Sequence, residues 1–206
     1  MNRFKMSASK LTDGQLGSVS EKTDEQLVDA FKNGDEKAFE IIIYRYKHRL
    51  TRLAWSVVHN EDDAMDIVQE SFIKVYRKLH SFQGTSKLYT WLYRIVMNHS
   101  IDYVRKRPSA VIVSVDEMLH EPASRDKSMR PDINLLNKEL NKKIFEAVDK
   151  LPEKQKKAVI LREVEDLSYN EIAEIMSCTV GTVMSRLYYA REKLREILKS
   201  YVEDGS

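Results

Sequence analysis

Between Leu167 and Leu194 the chain reads LSYNEIAEIMSCTVGTVMSRLYYAREKL, and no other stretch narrows its folding options as far. Ser168 followed by Glu171 is a capping box: the hydroxyl accepts from the amide three residues on, and the carboxylate reaches back. Ile172, Ala173, Ile175 and Met176 then give a short apolar face. Thr179 offers a second N-cap about eleven residues after the first. Val183, Leu187, Ala190, Leu194 and Ile197 continue on one stripe at helical spacing. Two capped amphipathic helices with so little between them predict a helix-turn-helix, whose second helix can lie in a DNA major groove. Its outward face carries Thr182, Ser185, Arg186, Tyr188, Tyr189 and Arg191, with Lys193 and Arg195 beyond. Such side chains donate to phosphates and base edges. A solvated helical hairpin with ordinary surface charge would share the pattern.

At 206 residues the chain has room for one large domain or two small ones, and its periodicity favours two. Lys and Arg number 34 against 32 Asp and Glu, so any footprint for nucleic acid must come from local segregation of charge. The single Cys178 excludes an internal disulfide and a cysteine-rich zinc site. In the turn before Thr179 it reads as a small packing residue rather than a redox switch. No apolar run is long enough to span a bilayer, which predicts a cytoplasmic protein without membrane insertion. The histidines, His48, His59, His80, His99 and His120, are scattered without a ligand pair or a carboxylate partner at useful spacing, so no enzyme site, metal or cofactor is expected. His99 reads as a satisfied core histidine.

Residues 1–22 are polar, without sustained period, and read as a flexible leader. Order begins at Thr23. Leu27, Val28 and Phe31 make a short amphipathic helix that stops near Asn33-Gly34. Asp35 caps a long helix whose stripe is Phe39, Ile42, Ile43, Tyr46, Leu50, Leu53, Ala54 and Val57. A third helix, from about Glu61 to His80, opens acidic and closes basic, as the helix dipole favours. Ala64, Ile67, Val68, Ser71, Phe72, Val75 and Leu79 form its core stripe. Its other face gathers Asp66, Gln69, Glu70 and Ile73, either a plain solvated face or one that docks on a basic partner.

Residues 81–86 break the period as a loop. A fourth, aromatic-rich helix follows and closes on Arg105-Lys106-Arg107-Pro108. Trp91, Leu92, Ile95 and His99 are assigned to its core stripe, while Tyr89, Arg94, Asn98 and the basic end lie off it. Aromatics beside amides and cations suit a single DNA strand, because bases stack on rings while cations hold the backbone; burial of the aromatics is the other reading. Residues 108–131 hold three of the four prolines and read as a linker. Beyond it, from Asp132, Leu136, Leu140, Ile144, Val148 and Leu151 predict a helix ending before Pro152, which then enters the first turn of a helix over Glu153 to Glu163. Ala158, Val159 and Leu161 are placed inward.

Four blocks, in order, carry a family resemblance: GDEKAFEIIIYRY at 34–46, DDAMDIVQESFIKVYRKL at 62–79, YTWLYRIVMNHSIDYVRK at 89–106 and LPEKQKKAVILREVEDLSYNEIAEIMSCTVGTVMSRLYYAREKL at 151–194. In sequence and spacing they resemble the extracytoplasmic-function (ECF) sigma factors of bacteria, most closely the sigma-E-like branch. The resemblance implies an all-α chain: a sigma domain 2-like helical bundle over 23–107, a linker over 108–131, a sigma domain 4-like helix-turn-helix domain over 132–200 and a tail over 201–206. It implies a dissociable specificity subunit of RNA polymerase with no catalytic site of its own. Its partners would be core polymerase, through the β′ clamp helices and the β flap, promoter DNA, and an anti-sigma factor, often membrane-bound in the family. Carried onto this chain, core binding falls on Asp66, Gln69, Glu70, Phe72 and Ile73, with Phe72 acting directly or through packing. Reading and opening of the −10 element fall on Phe82, Lys87, Tyr89, Trp91, Arg94, Asn98, Arg105 and Lys106, with Asn98 at the position of a pocket for an unstacked base. Reading of the −35 duplex falls on Thr179, Thr182, Met184, Ser185, Arg186, Tyr188, Tyr189 and Arg191. Where the family often has basic residues, this chain has Met184 and Tyr189, which implies a weaker or differently specified −35 contact. An ordinary helix-turn-helix regulator would need a DNA-binding dimer and would give no account of the second and third blocks.

Overall fold

A computed structural model describes residues 22–106, 140 and 143–203, with side chains through Lys199, and every regular element among them is helical. The expected leader at 1–22 (all but Lys22), the linker at 108–131 and the end of the tail lie outside the described residues.

Helix α1, Asp24–Lys32, starts from Thr23 in a capping box with Gln26 and buries Leu27, Val28 and Phe31. Gly34, at φ 95°, occupies the left-handed region without a Cβ penalty and turns the chain into α2. Helix α2, Glu36–Val58, is capped by Asp35 and is the central post of the fold, packing on α1, α3 and α4. All eight residues of its expected stripe are buried. It ends on His59, itself left-handed at φ 55°. Asn60 then caps α3, Glu61–Leu79, whose buried residues are the seven expected ones. Phe31, Phe39, Phe72 and Tyr76 pack edge-on or tilted, with neighbouring ring centroids 5.1 to 6.3 Å apart, and join α1, α2 and α3.

Helix α4, Leu88–Lys106, corrects the expected stripe. Leu88, Leu92, Tyr93, Val96, Met97 and Ile101 are buried, whereas Trp91, Ile95 and His99 are only half-buried. The stripe is turned by about one position because α4 is covered from two sides: α2 and α3 hold one flank and the C-terminal helices hold another.

The C-terminal group comprises α5 at 143–149, α6 (Glu153–Val159, continuing as a π turn over Ile160–Val164), α7 (Tyr169–Met176) and α8 (Val180–Glu203). Two expectations change here. Leu140 and Ile144 are exposed, while Ala147, Val148 and Leu151 are buried, so the inward edge of α5 is carried by its last turn. Pro152 stands at the N-cap of α6 rather than inside its first turn. Ala158, Val159 and Leu161 face inward as expected, joined by Ile160. The Ser168–Glu171 capping box forms, and Thr179 accepts from the Thr182 amide at 3.2 Å. Ser177, left-handed at φ 50°, makes the tight turn between α7 and α8. Val183, Leu187 and Ala190 lie in the core, with Leu194 packed at its margin.

Candidate nucleic-acid interface

Three surfaces hold the sequence-predicted site residues. On α3, burying one stripe leaves Asp66, Gln69, Glu70 and Ile73 outward, with Ile73 41% exposed. Phe72 is 2% exposed, so it supports this face through packing and does not form part of it. Glu70 lies 3.2 Å from His99 Nε2, and His99 Nδ1 lies 3.0 Å from Ser71 Oγ. His99 therefore ties α4 to α3 as a satisfied, half-buried group. Burial, and next the charge of Lys74, lower its pKa below the ordinary histidine value.

The second surface is the flank of α4. The Phe82 ring leans on Trp91 at 5.0 Å, and Lys87 sits 5.7 Å over the Tyr89 ring. Lys106 is exposed at the helix end. The remaining members meet the C-terminal group directly. Tyr89 donates its hydroxyl to Glu171, and Arg94 donates to the carbonyl of Glu174. Lys157 Nζ reaches Asn98 Oδ1 at 3.3 Å, and Arg105 pairs with Glu153 at 2.9 Å. Burial, and next the bond to Glu171, push the Tyr89 hydroxyl up to about 12. The same bond is the chief cause that lowers Glu171. A cavity of about 180 Å³ opens beside Asn98, lined by Arg94, Lys154, Lys157 and Arg186 among others.

Sequence reasoning missed the groups that hold this junction together. Glu165 has a side chain with no solvent exposure; it accepts from Arg52 at 3.0 and 3.2 Å and from the Tyr93 hydroxyl at 2.5 Å. His59 Nε2 and Lys156 Nζ converge on Asp149 at 3.1 and 2.6 Å, and Lys156 also reaches the Val57 carbonyl at 3.4 Å. Trp55 meets Phe145 edge-on at 5.1 Å. Arg52 and Glu165 are 113 positions apart, so no local period announces them.

The third surface is the outward side of α8. Met184, Tyr188 and Tyr189 are 54%, 61% and 62% exposed, and the two tyrosine rings sit edge to face. Thr179 and Thr182 share a hydroxyl contact, and Ser185 turns its hydroxyl back to the Gly181 carbonyl. Arg186 folds back on Cys178 Sγ at 3.3 Å, and Arg191 pairs with Glu163 at 2.8 Å. The foremost groups on this face are therefore aromatic and thioether rather than cationic. Among the described residues, no three His, Cys, Asp or Glu side chains gather as a metal-binding set, and no helix is long and apolar enough to cross a membrane.

Comparison with known proteins bears on both helical groups. The family profile described as Sigma-70 region 2 matches residues 42–109, and that described as Sigma-70, region 4 matches residues 141–194. The ECF RNA polymerase sigma-E factor of Haemophilus influenzae is 41% identical over 177 residues, covering 84% of this chain and 93% of that protein. That of Salmonella typhimurium is 42% identical over 177 residues, with 84% and 92% covered. Among solved structures, the sigma factor RpoE of Bartonella quintana in complex with the anti-sigma factor NepR superposes with a TM-score of 0.57 at 27% identity, covering 79% of this chain and 98% of that one. CnrH in complex with the cytosolic domain of CnrY shares the fold, with a TM-score of 0.62 at 23% identity over 84% of this chain and 96% of that one.

Proposed function

The chain belongs to the ECF sigma factors of the sigma-70 family, and from that membership we propose how its parts divide the work of starting transcription. Residues 23–107 dock on core RNA polymerase and read the −10 element; residues 132–200 read the −35 duplex and meet the β flap; residues 108–131 join the two. The docking contact is the outward face of α3, with Asp66, Gln69, Glu70 and Ile73 against the β′ clamp helices and Phe72 holding the face in shape. The observation that carries this reading is the division of α3 itself: a complete apolar stripe is buried, and the acidic side, with an exposed isoleucine among its charges, is left open. Acidic groups around an apolar centre suit a basic protein partner, which they steer and hold in register.

On α4, the exposed Asn98 takes an unstacked base of the −10 strand, with Phe82, Tyr89 and Trp91 as stacking surfaces. Lys87, Arg94, Arg105 and Lys106 hold the strand backbone. On α8, Thr179, Thr182, Met184, Ser185, Arg186, Tyr188, Tyr189 and Arg191 face the −35 duplex. The exposed Met184 makes its contact apolar; Met184→Arg is expected to tighten duplex binding and alter the preferred sequence, since a bidentate base contact is worth about 1–3 kcal/mol of discrimination. The protein works in the cytoplasm without chemistry of its own, and the bond-forming site is that of the core enzyme. The Bartonella relative is seen with an anti-sigma factor, and control by such a partner is proposed here too.

Co-migration of the purified chain with core polymerase tests the assignment. One-to-one binding that is lost in Asp66→Arg/Glu70→Arg, with helicity intact, is the expected result. Binding that survives both reversals would remove α3 as the docking face.

A further inference from the structure

The division of labour proposed above gives no role to the cavity of about 180 Å³ where α4, α6, α7 and α8 meet. Among the described residues its charged lining is four cations, Arg94, Lys154, Lys157 and Arg186, and one carboxylate, Glu153. That carboxylate is already engaged, receiving Lys157 at 3.1 Å and Arg105 at 2.9 Å. The cations are poorly matched within the chain. Arg94 donates to the Glu174 carbonyl, yet its Nε is buried with no hydrogen-bond partner. Arg186 Nη1 lies 3.3 Å from Cys178 Sγ and 4.0 Å from Met176 Sδ, and sulfur is a weak acceptor for a guanidinium. Lys154 is exposed and forms no ion pair among the described residues. A buried cationic donor left unmet calls for an explanation, since native folds satisfy nearly all such groups.

We propose that this cavity binds a small phosphate ester, its phosphate held by Arg94, Lys154, Lys157 and Arg186 and its carbon body resting on Met97 and Met176. Cations gathered around one space repel one another, and a multiply charged oxyanion among them replaces that repulsion with attraction. Phosphate fits these donors: guanidinium groups meet it through paired N–H bonds, and lysines meet it as point charges. The space is roughly tenfold what one water needs, so a phosphate and several carbon atoms have room. Met97, Ile175 and Met176 supply an apolar wall, and thioethers adapt to an irregular carbon body, which favours an ester over inorganic phosphate. The site rests on the cavity and not on the DNA-reading roles of α4 and α8, in which Lys154 and Lys157 have no part.

Phenyl phosphate is titrated into the full chain by calorimetry at low salt, beside inorganic phosphate and a random-sequence pool of single-stranded DNA. Two variants remove equal charge: Lys154→Gln/Lys157→Gln in the cavity and Lys87→Gln/Lys106→Gln outside it. Glutamine at 157 can still donate to Asn98, and unchanged helicity by circular dichroism checks the fold. The expected result is one phenyl phosphate per chain, bound more tightly than inorganic phosphate. Its affinity should fall about tenfold or more in the cavity variant and stay unchanged in the other. No binding by the native chain, or equal weakening in both variants, would overturn the site. Inorganic phosphate bound as tightly as the ester would overturn the apolar wall. DNA binding that weakens in the cavity variant, with phenyl phosphate unbound, would overturn the proposal and give the cations to a polynucleotide backbone. Should the cavity variant lose helicity, the native chain decides. The Arg94 Nε–H resonance, identified by its loss in Arg94→Lys, should shift as phenyl phosphate is added. A resonance that stays in place while the ligand binds would put the ligand elsewhere and overturn the site.

Discussion

The interior of the N-terminal group and its seam with the C-terminal group are built from different materials. Inside, α1 to α4 meet through Leu27, Ile42, Leu50, Leu53, Ile67, Leu79 and Leu92, all nearly without exposure, with rings packed between them. Across the seam the contacts are chiefly carboxylates, guanidinium groups, tyrosine hydroxyls and the Phe145 ring set against Trp55 and His59. Apolar packing loses its whole value when it is parted in water, whereas polar groups that separate find water instead. A contact made of the second kind is one that can part while both sides stay folded, as polar interfaces between domains commonly do.

That contrast is open to attack, most severely from the core. Leu53→Ala removes a fully buried side chain from the centre of α2 and is expected to cost about 2–5 kcal/mol. Thermal unfolding should show the N-terminal group melting earlier, with the docking face on α3 lost along with it. A smaller effect is expected from Glu165→Ala, which orphans the fully buried Tyr93 hydroxyl and leaves Arg52 to solvent. A loss of about 1–3 kcal/mol follows from the unmet donor. Hydrogen exchange should find it as faster opening of α6 and α7, with α2 and α3 unchanged. Equal acceleration in all four helices would erase the distinction between core and seam.

Smaller again is Ser168→Ala, at about 1 kcal/mol for a lost N-cap. Because the Ser168 partner Glu171 also receives Tyr89, the loss should spread from α7 to the seam, visible as faster exchange at both places. The mildest perturbation is acid. Tyr89, and then its cap bonds, lower Glu171; His59 and Lys156 lower Asp149, and Lys157 and Arg105 lower Glu153, in both cases against the opposing effect of burial. A carboxyl lowered by folding gives stability that is complete above its unfolded value and is lost as pH falls through the folded one. Trp55 fluorescence should therefore report the seam loosening below the ordinary carboxylate range. His99, lowered by burial and Lys74, makes the α3–α4 contact lose stability earlier, as pH drops through the ordinary histidine range. Seam loosening that tracked the histidine range instead would reassign it to α4.

What the sequence made legible follows the same division. The seven-residue stripe of α3 is buried residue for residue, and both caps of the helix-turn-helix form where Ser168 and Thr179 predict them. These are local rules, written within a few turns of one helix. The misreading of α4 arose because periodicity assigns a helix one inner face, and this helix has two neighbours; Tyr93 is buried to serve the second. The exposed Leu140 and Ile144 show the converse, an apolar period without a surface to meet it among the described residues. For the candidate site, the residues of α4 were named from the resemblance, but their engagement by Glu153, Glu171 and Glu174 spans 48 to 82 positions and leaves no periodic trace.

The π turn at Ile160–Val164 sets where Glu165 stands: its amide bonds back five residues to the Ile160 carbonyl, one more than an α-helix allows. The extra residue in that turn brings Glu165 back beside Ile160 after five positions instead of four, on the side of the axis that meets Arg52 and Tyr93. The grip between the two halves is thus encoded by the winding of the chain before Glu165 as well as by the acid itself.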